Sequence, residues 1–207
     1  NTVRVEDGRL SGTNTDGIGI LAALAEELGW HPAGKRVLLL GAGGASRGIA
    51  VALLDEGVAT LEIANRSTEK AAALAADCAR RYPTATVTVR PWSECAHYDG
   101  DLLIQATTVG MGLGTGTGTG EGGNIAGPDQ PVDLAGLRLA DGLMDIVYHP
   151  VETPLLRQAA ALGIPRANGL GMLLHQGAEA FRFWTGQAPP VEAMRAAMLA
   201  AVAKRDE

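Results

Sequence analysis

The chain has 207 residues, of which 46% are hydrophobic, 19% charged and 4% aromatic, with a formal net charge of −6. That composition supplies a core and excludes a disordered chain, and the length allows one domain with additions rather than two independent ones. No apolar stretch approaches the roughly 20 residues of a membrane span, the acidic balance without a basic run speaks against nucleic acid as a partner, and the amino terminus lacks the charged and apolar segments of a secretory signal.

A cytoplasmic protein without membrane association is therefore expected. Two cysteines, Cys78 and Cys95, cannot build a disulfide framework. The four histidines, His31, His97, His149 and His175, show no pair at ligand spacing, so no metal site is expected.

In chain order, Asp16 to Leu28 reads as an amphipathic helix. Lys35 to Leu40 is a short apolar run that ends in a glycine cluster, after which Ser46 to Glu56 reads as a helix. A second run, Ala59 to Ala64, precedes a helix-favouring stretch from Glu69 to Arg81. Thr84 to Arg90 alternates with period two, and Asp101 to Ala106 and Gly142 to Val147 supply two more strands. Helices are expected at Thr153 to Leu162, Leu170 to Trp184 and Val191 to Lys204, and neither flank carries the pattern of a second sheet. Gly112 to Gly123, rich in Gly alternating with Thr, reads as a mobile loop. Strands separated by helical lengths predict an α/β fold with a doubly wound parallel sheet.

Gly41, Ala42, Gly43, Gly44, Ala45 and Ser46 follow the first strand of that sheet and open a helix, where glycines let the backbone approach a pyrophosphate on the helix amino terminus. Ser46 stands where the third glycine of that motif would be. At the end of the second strand, where a carboxylate would bind the ribose of NAD, the sequence has Asn65, Arg66, Ser67 and Thr68, with Lys70 following. A guanidinium pairs with a 2′-phosphate and stacks on adenine, so the expected cofactor is NADP.

The segment Thr13 to Gly17 reads, from residue chemistry alone, as a helix cap. Asp145 and Tyr148, at the carboxyl end of a strand, are candidates to face the crevice. Asn168 and Gly169 open an apolar helix interrupted by His175 and Gln176, which by itself reads as core packing.

Taken together, Asn14-Thr15-Asp16-Gly17, Gly41 to Ser46, Asn65-Arg66-Ser67, Ala106 to Met111 and Gly169-Leu170-Gly171-Met172-Leu173 with Gln176 resemble, in order and spacing, the carboxyl-terminal two-thirds of shikimate dehydrogenases. The resemblance implies a Rossmann-like NADP-binding domain with additional helices lining a cleft. Residues 1–34 would form a substrate-cleft segment and linking helix, 35–168 the cofactor domain, and 169–207 helices returning to the cleft.

It implies NADPH-dependent reduction of 3-dehydroshikimate to shikimate, in aromatic amino-acid biosynthesis, by a Lys and Asp pair without metal. Asp16 becomes the catalytic Asp, and Asn1, Asp16, Tyr148 and Gln176 become substrate-binding. Thr107, Ile146 and Gly169 join Lys70 and the two cofactor motifs, with Gly169 near the nicotinamide. The family's catalytic Lys belongs to a substrate domain outside these residues, and none of Lys35, Lys70 and Lys204 suits its role, so weak activity of the chain alone is expected.

Where the family usually has Asn-Ala-Thr, this chain has Gln105-Ala106-Thr107, one methylene longer, which puts the contact of Gln105 to the cofactor in question. The alternatives are a quinate/shikimate dehydrogenase, against which Arg66 speaks, and a non-catalytic NADP-binding module. The apolar flanks of the helices at Asp16 and Leu170 are expected to be open, favouring a homo-oligomer such as a dimer.

Overall fold

A computed structural model describes residues 1–111 and 131–204; the expected Gly-Thr loop therefore lies outside the described residues. Strand β1 (Thr2–Glu6) pairs antiparallel with β2 (Arg9–Thr13), a second sheet that corrects the expectation of none. The hairpin turns on Asp7 and Gly8, both at positive φ (49° and 74°), as the two-residue turn that matches strand twist requires. The Asp-Gly signal and the alternation of Thr2 to Glu6 were both visible in the sequence.

Helix α1 (Asp16–Leu28) follows, then β3 (Arg36–Leu40), α2 (Gly44–Asp55), β4 (Thr60–Ala64), α3 (Thr68–Arg81) and β5 (Thr86–Val89). A short 3₁₀ helix (Trp92–His97) leads into β6 (Asp99–Gln105), which is followed by β7 (Arg138–Asp145), α4 (Pro154–Ala161), β8 (Arg166–Ala167), α5 (Gly169–Thr185) and α6 (Val191–Ala203). The strand β7 starts four residues earlier than its apolar run, because its first half, Arg138 to Asp141, alternates with exposure instead of being buried throughout.

The main sheet is parallel, in the order β5-β4-β3-β6-β7-β8. Chain order runs outward from β3 on one side and from β6 on the other, so the carboxyl ends of β3 and β6 form the switch point where ligands gather in such sheets. Both faces are covered, which explains the uninterrupted apolar run of β3. Val37 and Leu39 pack with α1, α2 and α3, while Leu38 and Leu40 pack with α4 and the 3₁₀ helix. Leu38, Leu39 and Leu40 are fully buried, each contributing about 2 kcal/mol of hydrophobic stabilisation.

Helix α1 wedges between α2 and α5 because glycines stand at both crossings. A Cβ on Gly17 would lie 2.6 Å from the Ala52 Cβ, and one on Gly19 would lie 2.8 Å from the Met172 carbonyl oxygen. These crossings cover much of the apolar surface expected to be open on α1 and α5, which corrects that expectation in part. What stays exposed is Ile18 and Trp184, with Val3, Val5 and Leu10 on the hairpin. Among the described residues no helix is long and apolar enough to cross a membrane, and no cluster of His, Cys, Asp and Glu is arranged to hold a metal ion.

Candidate active site

The glycine turn sits at the switch point. Gly41 has φ of +117°, and a Cβ there would lie 2.6 Å from the Ala106 carbonyl oxygen, so only glycine lets the ends of β3 and β6 close up. Gly43 caps α2 without a side chain, and a Cβ on Gly43 or Gly44 would point into open space. The first amide groups of α2 are thereby left to an anion. Ser46 is fully buried, its hydroxyl without a hydrogen-bond partner and facing Gly41. It underlies the turn rather than lining the space above it.

That space is a cavity of about 590 Å³ lined by Gly41, Ala42, Gly43, Asn65, Arg66, Ser67, Lys70, Trp92 and Ala106 to Val109. The structure thus brings together most of the expected cofactor residues, Thr107 included. Asn65 donates to the Ser67 carbonyl (3.0 Å) and fixes the turn, while the Ser67 hydroxyl accepts the Lys70 amide as the cap of α3. Arg66 is exposed, and neither it nor Lys70 makes an ion pair among the described residues. Two free cations at a helix amino terminus, beside an anion-ready glycine turn, fit a dinucleotide that carries a 2′-phosphate.

Gln105 is fully buried and does not line the cavity. Its carboxamide oxygen accepts the Thr107 amide (2.6 Å), and its nitrogen donates to the carbonyls of Thr107 (3.3 Å) and Val109 (2.9 Å). The extra methylene therefore serves the loop rather than a cofactor contact. Asp145, its partner in register on β7, does the same for the next loop, accepting from the Val147 amide (3.1 Å) and the Thr153 hydroxyl (2.7 Å). Asp145 is thus turned into the protein, not toward the crevice.

Burial raises the Asp145 pKa to about 6, against the two hydrogen bonds that lower it. Because the native state then holds a proton that the unfolded chain has released between pH 4 and 6, stability falls as pH rises through that window, by about 3 kcal/mol in total. Urea unfolding of wild type and Asp145→Asn from pH 4 to 7 is expected to show the variant gaining on wild type as pH rises. Parallel curves would contradict this.

Beyond β7, the Ile146 amide donates to the Gln105 carbonyl, and the Gly169 amide donates to Val147. A Cβ on Gly169 would collide with the Ile146 carbonyl oxygen. Ile146 and Gly169 therefore meet at one junction, apart from the residues lining the nucleotide cavity. Tyr148 follows on the same loop with its ring exposed.

On the other side of α1, Asn1 Nδ2 donates to Asp16 Oδ1 (2.7 Å), and the Thr15 amide donates to Asn1 Oδ1 (2.9 Å). Asn14, not Asp16, bonds the local backbone, through the Asp16 amide (2.9 Å). Thr15 stands at the cap position and makes no side-chain cap bond, so the carboxylate of Asp16 is not spent on capping. Gln176 packs against Gly19, one turn along the same face of α1 as Asp16. His175 instead pairs with Glu26 (2.6 Å), at the far end of α1.

Shikimate dehydrogenase of Geobacter sp. strain M21 is 42% identical over 207 residues, covering 98% of this chain and 67% of that protein. This chain belongs to the shikimate dehydrogenase family. Two family models match it, "Shikimate / quinate 5-dehydrogenase" over residues 23–110 and "Shikimate 5'-dehydrogenase C-terminal domain" over 169–199. A crystal structure of shikimate dehydrogenase in complex with NADP⁺ superposes with a TM-score of 0.81 at 36% identity, over 97% of this chain and 66% of that one. Quinate dehydrogenase from Corynebacterium glutamicum in complex with NAD gives 0.78 at 31%, over 96% and 66%. The chain thus spans about two-thirds of the length of these family members.

Lysines are few. Lys35 pairs with Asp141 (2.7 Å) at the amino end of the sheet, Lys70 lines the nucleotide cavity, and Lys204 follows α6. Trp92 was missed by sequence reasoning; the signal was its place just after β5, on the ligand-bearing edge of the sheet.

Proposed function

We propose that the chain is the cofactor-binding portion and cleft side of an NADPH-dependent shikimate dehydrogenase, which reduces 3-dehydroshikimate to shikimate. The observation that carries this reading is the Asp16 carboxylate, free of capping duty and bonded to Asn1 at the α1 terminus that crosses α2. Residues 35–168 would hold NADP, through the α2 amides, Arg66, Ser67 and Lys70, with Ile146 and Gly169 at the nicotinamide end. Residues 1–34 and 169–207 would present Asn1, Asp16 and Gln176 to the substrate, and Tyr148 would join them from the loop after β7. When bound, the nicotinamide supplies the hydride.

Reduction of a ketone also needs a proton donor beside the developing alkoxide. Asp16 would orient the substrate hydroxyl and exchange its proton with a lysine, as the family resemblance implies. None of the three lysines of these residues is placed at Asp16, so the 207 residues alone are expected to bind cofactor but turn over at a rate lower by about 10² to 10⁴. The two buried free thiols fit a cytoplasmic enzyme. The exposed Val3, Val5, Leu10 and Trp184 support self-association of these residues.

The test joins the 207 residues to the substrate domain of a relative and follows NADPH formation with shikimate, quinate and aminoshikimate. Shikimate-dependent NADPH formation is expected. If all three compounds were ignored, the substrate class would be wrong.

A further inference from the structure

We propose that Trp92 is the adenine-binding wall of the nucleotide cavity, an inference that rests on the NADP reading above and assigns the base a specific partner. Three strands lie side by side in the order β5-β4-β3. The glycine turn follows β3, Arg66 and Ser67 follow β4, and Trp92 follows β5. With neighbouring strands about 4.8 Å apart, the end of β5 is set about 10 Å from the end of β3, and Arg66 and Ser67 follow the strand between them. A nucleotide laid across these ends, its phosphates on β3 and its ribose over β4, brings its base to β5.

The residues around that position narrow the choice of partner. Arg90, the other large side chain at the end of β5, is held by Glu62 (2.6 Å) and lies over the Tyr98 ring, its guanidinium carbon 5.3 Å from the centroid. It also donates to the Glu94 carbonyl (3.1 Å), so it is not free to stack on a base. Trp92 is half-buried, packs against the core beneath the 3₁₀ helix and also lines the cavity. An indole fixed on one side and open on the other is a stacking platform whose ordering cost is already met by the fold.

The other two tryptophans are well removed from the cavity. Trp30 is buried and donates to Asp141 (2.9 Å) at the amino end of the sheet, and Trp184 donates to the Val3 carbonyl (3.0 Å) on the hairpin side. Quenching of indole emission by a purine therefore reports on Trp92.

The test titrates the 207-residue chain with adenosine 2′,5′-bisphosphate, which carries the base and the 2′-phosphate but no nicotinamide, by calorimetry and by tryptophan fluorescence. Wild type is expected to bind with quenching. Trp92→Ala is expected to bind at least about tenfold more weakly, while Trp92→Phe keeps affinity within about threefold and loses the quenching. Affinity of Trp92→Ala within twofold of wild type, or quenching that persists in Trp92→Phe, would overturn the assignment of Trp92 and leave the NADP reading standing. Should Trp92→Ala not fold, the quenching in Trp92→Phe decides. A wild-type chain that did not bind the bisphosphate would overturn both.

Discussion

Asp16→Asn in the chain joined to a relative's substrate domain is expected to lower kcat by about 10² to 10⁴, the usual cost of losing a positioned acid or base, with NADP⁺ affinity unchanged. The substitution is nearly isosteric. The amide oxygen can still accept the 2.7 Å bond from Asn1 Nδ2, and the Asn14 bond to the backbone amide of residue 16 does not involve the side chain. The amino terminus of α1 therefore stays in place, and the loss falls on the reacting groups. Steady-state kinetics with shikimate and NADP⁺, beside a calorimetric titration of cofactor, separate the two. A fall in kcat below about threefold would remove Asp16 from the chemistry.

Arg66→Ala is expected to weaken NADP⁺ binding by about 10- to 100-fold, the range for losing a charge-assisted bond to a phosphate, while NAD⁺ binding changes little. Arg66 is exposed and makes no ion pair among the described residues, so the fold loses nothing with it and stability should shift by less than about 0.5 kcal/mol. Lys70 remains as a second cation, which keeps part of the phosphate attraction. Glu69, in the first turn of α3, favours the helix amino terminus but competes with an added anion, so removing Arg66 leaves the site less able to hold a doubly charged phosphate.

The sheet was legible in the sequence because its central strands β3 and β6 are buried on both faces and therefore read as apolar runs, as in Val37 to Leu40, while β5 at its edge shows the period-two alternation of a half-exposed strand. The glycine turn and the segment from Asn65 to Lys70 were legible because local backbone geometry and charge dictate their chemistry, whatever the rest of the chain does. The hairpin of Thr2 to Thr13 was missed although Asp7-Gly8 marks its turn. Its strands are mostly exposed, so no apolar run drew attention to them. The roles of Gln105 and Asp145 were not readable in advance, since whether a polar side chain at a strand end faces a ligand or folds back to tie its own loop is decided by the neighbouring strand. Asp16 lay between these cases. Its sequence neighbourhood reads as a cap from residue chemistry alone, and the absence of a cap bond together with the approach of Asn1 leaves its carboxylate for another role.

The account stands most directly on the cofactor it assigns to the turn after β4. Titration calorimetry of the 207-residue chain with NADP⁺ and with NAD⁺ is expected to show NADP⁺ bound at least about tenfold more tightly, the gain of one charge-assisted contact to the 2′-phosphate. Equal affinities would contradict the role given to Arg66 and, with it, the reading of the cavity as an NADP site.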